Sequence, residues 1–311
     1  MLDPPVSISL APDDLAVADR LPGAVELKFS WDHRDLLIGE RDLDAHLDEA
    51  GVDAHRIASV HLPPGTETRG DDVGMALTSQ NRGTIVDFVH SQLSRLAAAT
   101  LVAHPPKRVE YGEAIPLFST LLDCTNRHIS VENTAVESPW YTPEDLGFLA
   151  SLVRRYRPLS ELRLTVDSAH LPQAGARRGL DSENVETIRA RVGRSVPAAA
   201  HDFETDLEDR LPEEWPPADG DSPYLPLLKA LRFGGRAVES VHLNDPTTDD
   251  VPRFDAHDED PVLDRALAAL ADCDAQVVLE PSDDLLADPE ELRRRAAALR
   301  ERLTDAGEAR R

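Results

Sequence analysis

Cysteine, lysine and long apolar runs are all scarce in this chain of 311 residues. The two cysteines, Cys124 and Cys273, share no metal-binding spacing, so neither a disulfide framework nor a thiolate metal site is expected to organise the fold. No uncharged apolar stretch reaches the ~18 residues that a membrane-spanning helix needs. The N-terminus shows no basic segment followed by an apolar one, so no secretory leader is expected, and the chain is read as cytoplasmic. No G-x-G-x-x-G turn follows an early strand, which removes the usual mark of a dinucleotide-binding sheet. Lysine is confined to Lys28, Lys107 and Lys229, and the remaining basic residues are arginines.

Acid, by contrast, is abundant. The formal net charge is −25 and the pI is near 4.7, with the excess spread along the chain rather than gathered in a tail. Distributed carboxylates of this kind suit a salt-rich cytoplasm, where they keep a surface hydrated. At ~1 M salt the Debye length is roughly 3 Å, so global negative charge does not by itself exclude a nucleic-acid partner. Hydrophobic residues make up 41% of the chain, enough for a sizeable core. The length fits one large domain, and 1–311 is read as a single unit with an acidic, Pro-rich insertion around 193–224.

Short β-rich runs recur along the chain, and most end in His, Asp or Glu. Val6 to Leu10 and Val25 to Phe29 open the series. Ile57 to His61, Thr100 to His104, His128 to Asn133, Leu162 to Asp167, Val238 to His242 and Gln276 to Glu280 continue it. Helical patterns separate them. Arg41 to Ala50 is amphipathic, and Gln80 to Ala99 places Ile85, Phe88, Val89, Leu93 and Leu96 at helical spacing. Thr142-Pro143-Glu144-Asp145 and Asp288-Pro289-Glu290-Glu291 each read as a cap, a proline at the first helical position and early acids. The first leads into Leu146 to Arg155; Ser182 to Val192 and Leu225 to Arg232 are helix-like as well. Eight strand–helix units most simply close into a (β/α)8 TIM barrel. An open doubly wound sheet is the alternative, but it would cluster polar strand ends at one switch point rather than spread them over six strands.

A barrel of this kind carries its active site at the C-terminal ends of the strands. His61, His104, Glu132, Asp167, His170, His242, Asp255, His257 and Glu280 would then face one rim. Imidazoles and carboxylates without thiolates suit zinc, manganese or iron, and so many titratable groups would repel one another without cations. Glu132 and Glu280 each follow a β-branched run that would otherwise enter the core, and an unpaired carboxylate there is costly. His33, His46, His55, His90, His128 and His201 do not share the pattern and read as surface or satisfied core histidines. Asn244 and Asp245 are either partners that orient His242 or plain turn residues.

At these positions the sequence resembles the endonuclease IV family of the xylose-isomerase-like barrels. The resemblance is carried by Glu132-Asn133-Thr134-Ala135, Asp167-Ser168-Ala169-His170, His242-Leu243-Asn244-Asp245, Asp255-Ala256-His257 and Leu279-Glu280-Pro281, in that order. It implies up to three zinc ions. His61, His104 and Glu132 would hold the first; Glu132, as a bridge, would join Asp167, His242 and Glu280 at the second; His170, Asp255 and His257 would hold the third. The implied activity is hydrolysis of a phosphodiester or phosphate ester, as in an apurinic/apyrimidinic endonuclease acting on damaged DNA. The sugar isomerases and epimerases of the same superfamily keep one ion, on the counterparts of Glu132, Asp167, His242 and Glu280. There a small sugar is the substrate, and Glu132 and Glu280 act as ligands or as an acid/base pair. Lys107, Arg108, Arg177 and Arg178 are candidate phosphate contacts.

Overall fold

Strands and helices alternate as the sequence predicts, and eight parallel strands close on themselves in sequential order, β1 to β8, with β8 pairing back to β1. The computed structural model describes residues 6–63, 82–96, 99–104, 118–123, 125, 127–133, 162–171, 222–248, 250–254, 260–273 and 275–308. The strands are β1 (Val6–Leu10), β2 (Ala24–Lys28), β3 (Ile57–His61), β4 (Thr100–Ala103), β5 (Ile129–Glu132), β6 (Leu162–Asp167), β7 (Val238–His242) and β8 (Gln276–Leu279). Several elements differ from expectation at their ends: β4, β5 and β8 stop one residue before His104, Asn133 and Glu280. β2 begins and ends one residue early, and the pattern from Gln80 to Ala99 holds a shorter helix, Arg82–Ser91, followed by a 3-10 turn at Ser94–Leu96. The helices expected at Leu146 to Arg155 and Ser182 to Val192, and the insertion at 193–224 up to Asp221, lie outside the described residues. No helix among the described residues is long and apolar enough to cross a membrane.

The outer layer follows from helical spacing. In Pro289–Glu308 the residues Leu292, Ala296, Leu299 and Leu303 recur every three or four positions and are fully buried. Asp288 starts this helix by accepting the Glu291 N–H at 3.2 Å, and Asp260 starts Pro261–Cys273 by accepting from Val262 and Leu263 at 2.9 and 3.1 Å. The stripes pack on the outward residues of the strands, among them Ile8, Leu27, Val60, Val131, Val241 and Leu279, all buried. Truncating one such residue, as in Leu299→Ala, would cost about 2–5 kcal/mol. Glycine is demanded in two places. Gly51 closes helix Leu43–Ala50 at φ +72, and Gly23 enters β2 at φ +102, where a Cβ would meet the Val6 carbonyl at 3.1 Å.

The inward face is polar, where branched aliphatic residues usually dominate such barrels. Ser9 and Ser59 donate to the two oxygens of Glu26 at 3.2 and 2.9 Å. Thr165 donates to Ser130 at 2.6 Å and shares a hydrogen bond with Ser240 at 2.7 Å. Gln276 donates to Ser7 at 2.8 Å. Hydroxyls that satisfy one another across strands make this layer tolerable without water. The residues two positions further on form the rim, with Lys28 opposite His61 and Asp167 opposite His242.

Candidate metal centre

Glu132 lies at the centre of the rim, 1% exposed, at the end of β5. One carboxylate oxygen, Oε2, faces His61 Nε2 at 2.6 Å and His104 Nε2 at 3.1 Å. The other, Oε1, faces His242 Nδ1 at 3.5 Å and His170 Nδ1 at 3.7 Å. His61 ends β3 and His242 ends β7, while His104 and His170 follow the last residues of β4 and β6. The imidazoles therefore arrive from four strands around one carboxylate. Ring centroids of His61 are 5.0 Å from His104 and 5.6 Å from His242.

Tautomers sharpen the picture. His61 Nδ1 lies 2.7 Å from the Leu62 carbonyl, which can only accept, so the proton belongs on Nδ1. The neutral ring then aims an Nε2 lone pair at a carboxylate lone pair 2.6 Å away, an arrangement that calls for a proton or a cation. His104 Nε2, buried and 3.1 Å from the same oxygen, lies outside hydrogen-bond geometry and makes no hydrogen bond. His170 differs. Its Nδ1 faces the Asn133 carbonyl at 3.0 Å and spends its proton there, so Nε2 is the nitrogen that could bind a cation. Its short distances to Glu132 and Asp167 are made by the protonated nitrogen, so His170 does not share a cation with them through those contacts.

His242 is fully buried, and neither ring nitrogen has a hydrogen bond. Its Nδ1 lies 3.5 Å from Glu132 Oε1 and 3.5 Å from Glu280 Oε1; its Nε2 lies 3.4 Å from Glu26 Oε2. A buried nitrogen left without a partner costs about 1–3 kcal/mol, so two in one ring mark a position built around something else. Asp167 is held by its neighbours: Oδ1 accepts from the Ala169 and His170 N–H groups at 2.8 and 3.2 Å, and Asn133 Oδ1 accepts the Asp167 N–H at 2.7 Å. Glu280, just past β8, takes a hydrogen bond from Asn244 Nδ2 at 3.0 Å and an ion pair from Lys28. Asn244 thus orients a carboxylate rather than His242. Asp245 is a turn residue that accepts from Thr247.

The charges reflect this crowding. Burial would raise Glu132, but His104, His242 and His61 outweigh it and hold the carboxyl well below its ordinary range. Burial likewise opposes ionisation of Glu280, yet Lys28 and His242 bring it down to about 2. Asp167 goes the other way: burial, reinforced by Glu280 and Glu132 against the pull of His170, pushes it up to about 6. Burial disfavours a charged His242, but Glu26, Glu132 and Glu280 hold its proton well above the usual range. His104 is lowered by burial. These are the marks of a cluster that accommodates protons where it lacks cations.

Among the described residues, three sets of side chains bring one donor atom each within 4.8 Å of one another and could hold a metal ion: His61, His104 and Glu132; Glu132, Asp167 and His242; and Glu26, His242 and Glu280. The nitrogens of His104 and His242, which face carboxylates without hydrogen-bonding them, and the all-nitrogen-and-oxygen donor set fit a hard or borderline divalent ion. His61, His104, Glu132, Asp167, His170, His242 and Glu280 lie together at the rim, and His170 belongs to none of the three sets. Asp255, His257, Lys107, Arg108, Arg177 and Arg178 lie outside the described residues. Of the remaining histidines, His33 and His46 are buried and bonded, to Ser30 and to the Pro12 carbonyl, while His55, His90 and His128 are exposed or half-exposed; His201 lies outside the described residues.

Sequence reasoning missed Glu26 and Lys28. Both belong to β2, whose alternation Val25-Glu26-Leu27-Lys28 reads as a strand with a wet polar face. The polar face is in fact the barrel interior, where Glu26 is 0% exposed. The absence of a hydrophobic residue at either position in a strand of a closed barrel was the available signal.

No protein-family model matches the chain, and no curated protein matches it. Among solved structures it is similar to a D-psicose 3-epimerase crystallised in the presence of D-fructose, with a TM-score of 0.51 and 13% identity over 97% of this chain and 98% of that one. The AsfvAP:AG crystal structure matches at a TM-score of 0.46 and 13% identity, over 98% of this chain and 99% of that one. The sequential closed barrel and the first of these likenesses establish the fold as a (β/α)8 TIM barrel.

Proposed function

We propose that the chain is a divalent-metal-dependent hydrolase of a phosphodiester or phosphate ester, with Glu132 bridging two cation sites. One observation carries the reading: each oxygen of Glu132 faces its own set of nitrogens, His61 and His104 on Oε2, His242 on Oε1. A one-ion sugar isomerase needs only the second set. His61, His104 and Glu132 would hold one ion, and Glu132, Asp167, His242 and Glu280 a second; Asp255 and His257 with His170 Nε2 would complete a third. Zinc suits the nitrogen-rich first set, and manganese or iron the carboxylate-rich second. Bound there, paired ions lower the pKa of water toward neutrality and neutralise phosphate oxygens.

The chain's own residues supply the rest. Glu26 lies 3.4 Å behind His242 Nε2, where a cation on Nδ1 would let it take the Nε2 proton and orient the ring. Asn133 pins both Asp167 and His170. Glu280 is steered by Asn244. An abasic site in DNA fits the resemblance of the motifs, with Lys107, Arg108, Arg177 and Arg178 as phosphate contacts. The second reading, a sugar or sugar-phosphate epimerase, is favoured by the Glu132–Asp167–His242 set, which suffices for one ion with Glu280. Glu132 and Glu280 would then move the proton.

Metal counting separates the two. The hydrolase is expected to hold two or three ions per chain by elemental analysis, and His61→Ala with His104→Ala to remove one. A single ion that the double substitution leaves in place overturns the hydrolase and favours the epimerase. Incision of an oligonucleotide with one abasic site, in high salt, tests the DNA substrate.

A further inference from the structure

Lys28 ends β2 with its side chain on the inward, rim-facing side, opposite His61 in register and two residues beyond the buried Glu26. Its ammonium pairs with Glu280 Oε1. That oxygen is also the one 3.5 Å from His242 Nδ1, and the other oxygen of Glu280 is taken by Asn244 at 3.0 Å. Both oxygens of a prospective ligand are therefore engaged, one of them by a cation. Among the described residues, Lys28 is the only lysine or arginine ion-paired with Glu26, Glu132, Asp167 or Glu280. The two ends of the pair differ: the Lys28 side chain is 41% exposed and that of Glu280 only 15%. A lysine stem is flexible and its ammonium has no fixed direction, so it can leave a carboxylate without moving the backbone. Arginine, which the chain uses for nearly all its other cations, would hold the carboxylate in a planar fork and give it up less readily.

We propose that Lys28 is a resident counter-ion that a metal ion displaces from Glu280, and that the released ammonium then binds an anionic oxygen of the substrate. The inference rests on the metal reading above and adds to it a link between loading and substrate capture. Before loading, the ammonium neutralises Glu280 and lowers the affinity of the site nearby for a divalent ion. After loading, a positive charge stands free at the rim beside the metal-bearing carboxylates, where a phosphate oxygen can meet it. Loading therefore favours binding of an anion, and the anion favours loading, as linkage requires.

The test uses the full chain, Lys28→Met and Lys28→Arg. Manganese titrations of the metal-free proteins, followed by the electron paramagnetic resonance of free Mn(II), give the ion affinities. Calorimetry with inorganic phosphate then gives the anion affinity of the fully loaded proteins. Lys28→Met is expected to bind one ion about 10-fold tighter than the parent and, once loaded, phosphate about 10-fold more weakly. Lys28→Arg should bind that ion no tighter than the parent and keep most of the phosphate affinity. If Lys28→Met binds manganese no tighter, or retains phosphate, the proposal is wrong although the metal reading stands. If the parent itself binds no divalent ion, both are wrong.

Discussion

Replacing Glu132 by Gln keeps the shape of the side chain and removes its charge, which makes it the sharpest single perturbation of the rim. In the metal-free protein the carboxylate is 1% exposed and faces His61 at 2.6 Å and His104 at 3.1 Å. His242, whose proton Glu132 helps to hold, lies 3.5 Å from the other oxygen, and removing one member of such a buried charged pair costs about 3–5 kcal/mol, because the partner is left without compensation. The direction is supported by the depression of the Glu132 pKa: the folded state stabilises the ionised form despite burial. At 311 residues, each kcal/mol moves the melting temperature by about 2 °C, so metal-free Glu132→Gln should melt about 6–10 °C below the parent. Metal adds a second, separable effect. An ion at 100 times its Kd contributes about 2.7 kcal/mol to the parent, and the variant should lose that contribution wherever Glu132 is a ligand. The assay is differential scanning fluorimetry on chelator-treated and reloaded protein, with elemental analysis of the reloaded sample. A variant that melts within about 1 °C of the parent and still carries every ion would refute the bridging role.

Other outcomes follow from the same geometry. Glu26→Gln should weaken metal binding about 10–100-fold by freeing the back of His242, while a Thr165→Val control, which breaks the Ser130–Thr165–Ser240 hydroxyl chain, should lower stability by about 1–3 kcal/mol and leave ion affinities unchanged. The gap in melting temperature between loaded and metal-free protein should widen from pH 5 to pH 8. Asp167 and His242 have folded pKa values above their ordinary ones, so their contribution to the metal-free fold is present at low pH and lost as pH rises; Glu132 and Glu280, depressed, stay ionised throughout that window. A gap that is constant or narrows with pH contradicts this. Arg295→Met should loosen the segment after β7 by removing its hydrogen bond to the Val251 carbonyl and its pair with Glu291, seen as faster amide exchange at 245–254.

Where the sequence was legible, one physical regularity made it so. A strand of a closed barrel leaves the packed interior at its C-terminal end, so the residue placed there is relieved of the demand to be apolar. Ile57-Ala58-Ser59-Val60-His61 and Val238-Glu239-Ser240-Val241-His242 display that change of demand, and their strands ended where the sequence said. Helix starts were equally legible at Asp288-Pro289, where one side chain and one fixed φ do the work locally. The limits came from contacts between distant residues. Ser9, Glu26 and Ser59 are innocuous apart, and only pairing of β1, β2 and β3 brings them together as a satisfied buried carboxylate. Periodicity cannot report this, because alternation names two faces without saying which one is wet.

That ambiguity bears on function as well as on fold. Had the polar face of β2 been solvent-exposed, Glu26 and Lys28 would be two more acids and bases on a highly charged surface. Turned inward, they bracket His242 and Glu280, one behind the imidazole and one in front of the carboxylate. On the metal reading proposed above, β2 would govern two ligands on other strands: Glu26 lies behind His242, and Lys28 pairs with Glu280. A rim read only from its His, Asp and Glu ends yields the donor atoms. The inward side chains of β2 would add the conditions under which those atoms act, and on the proposal above binding of a cation and binding of an anion become two measurements on one equilibrium.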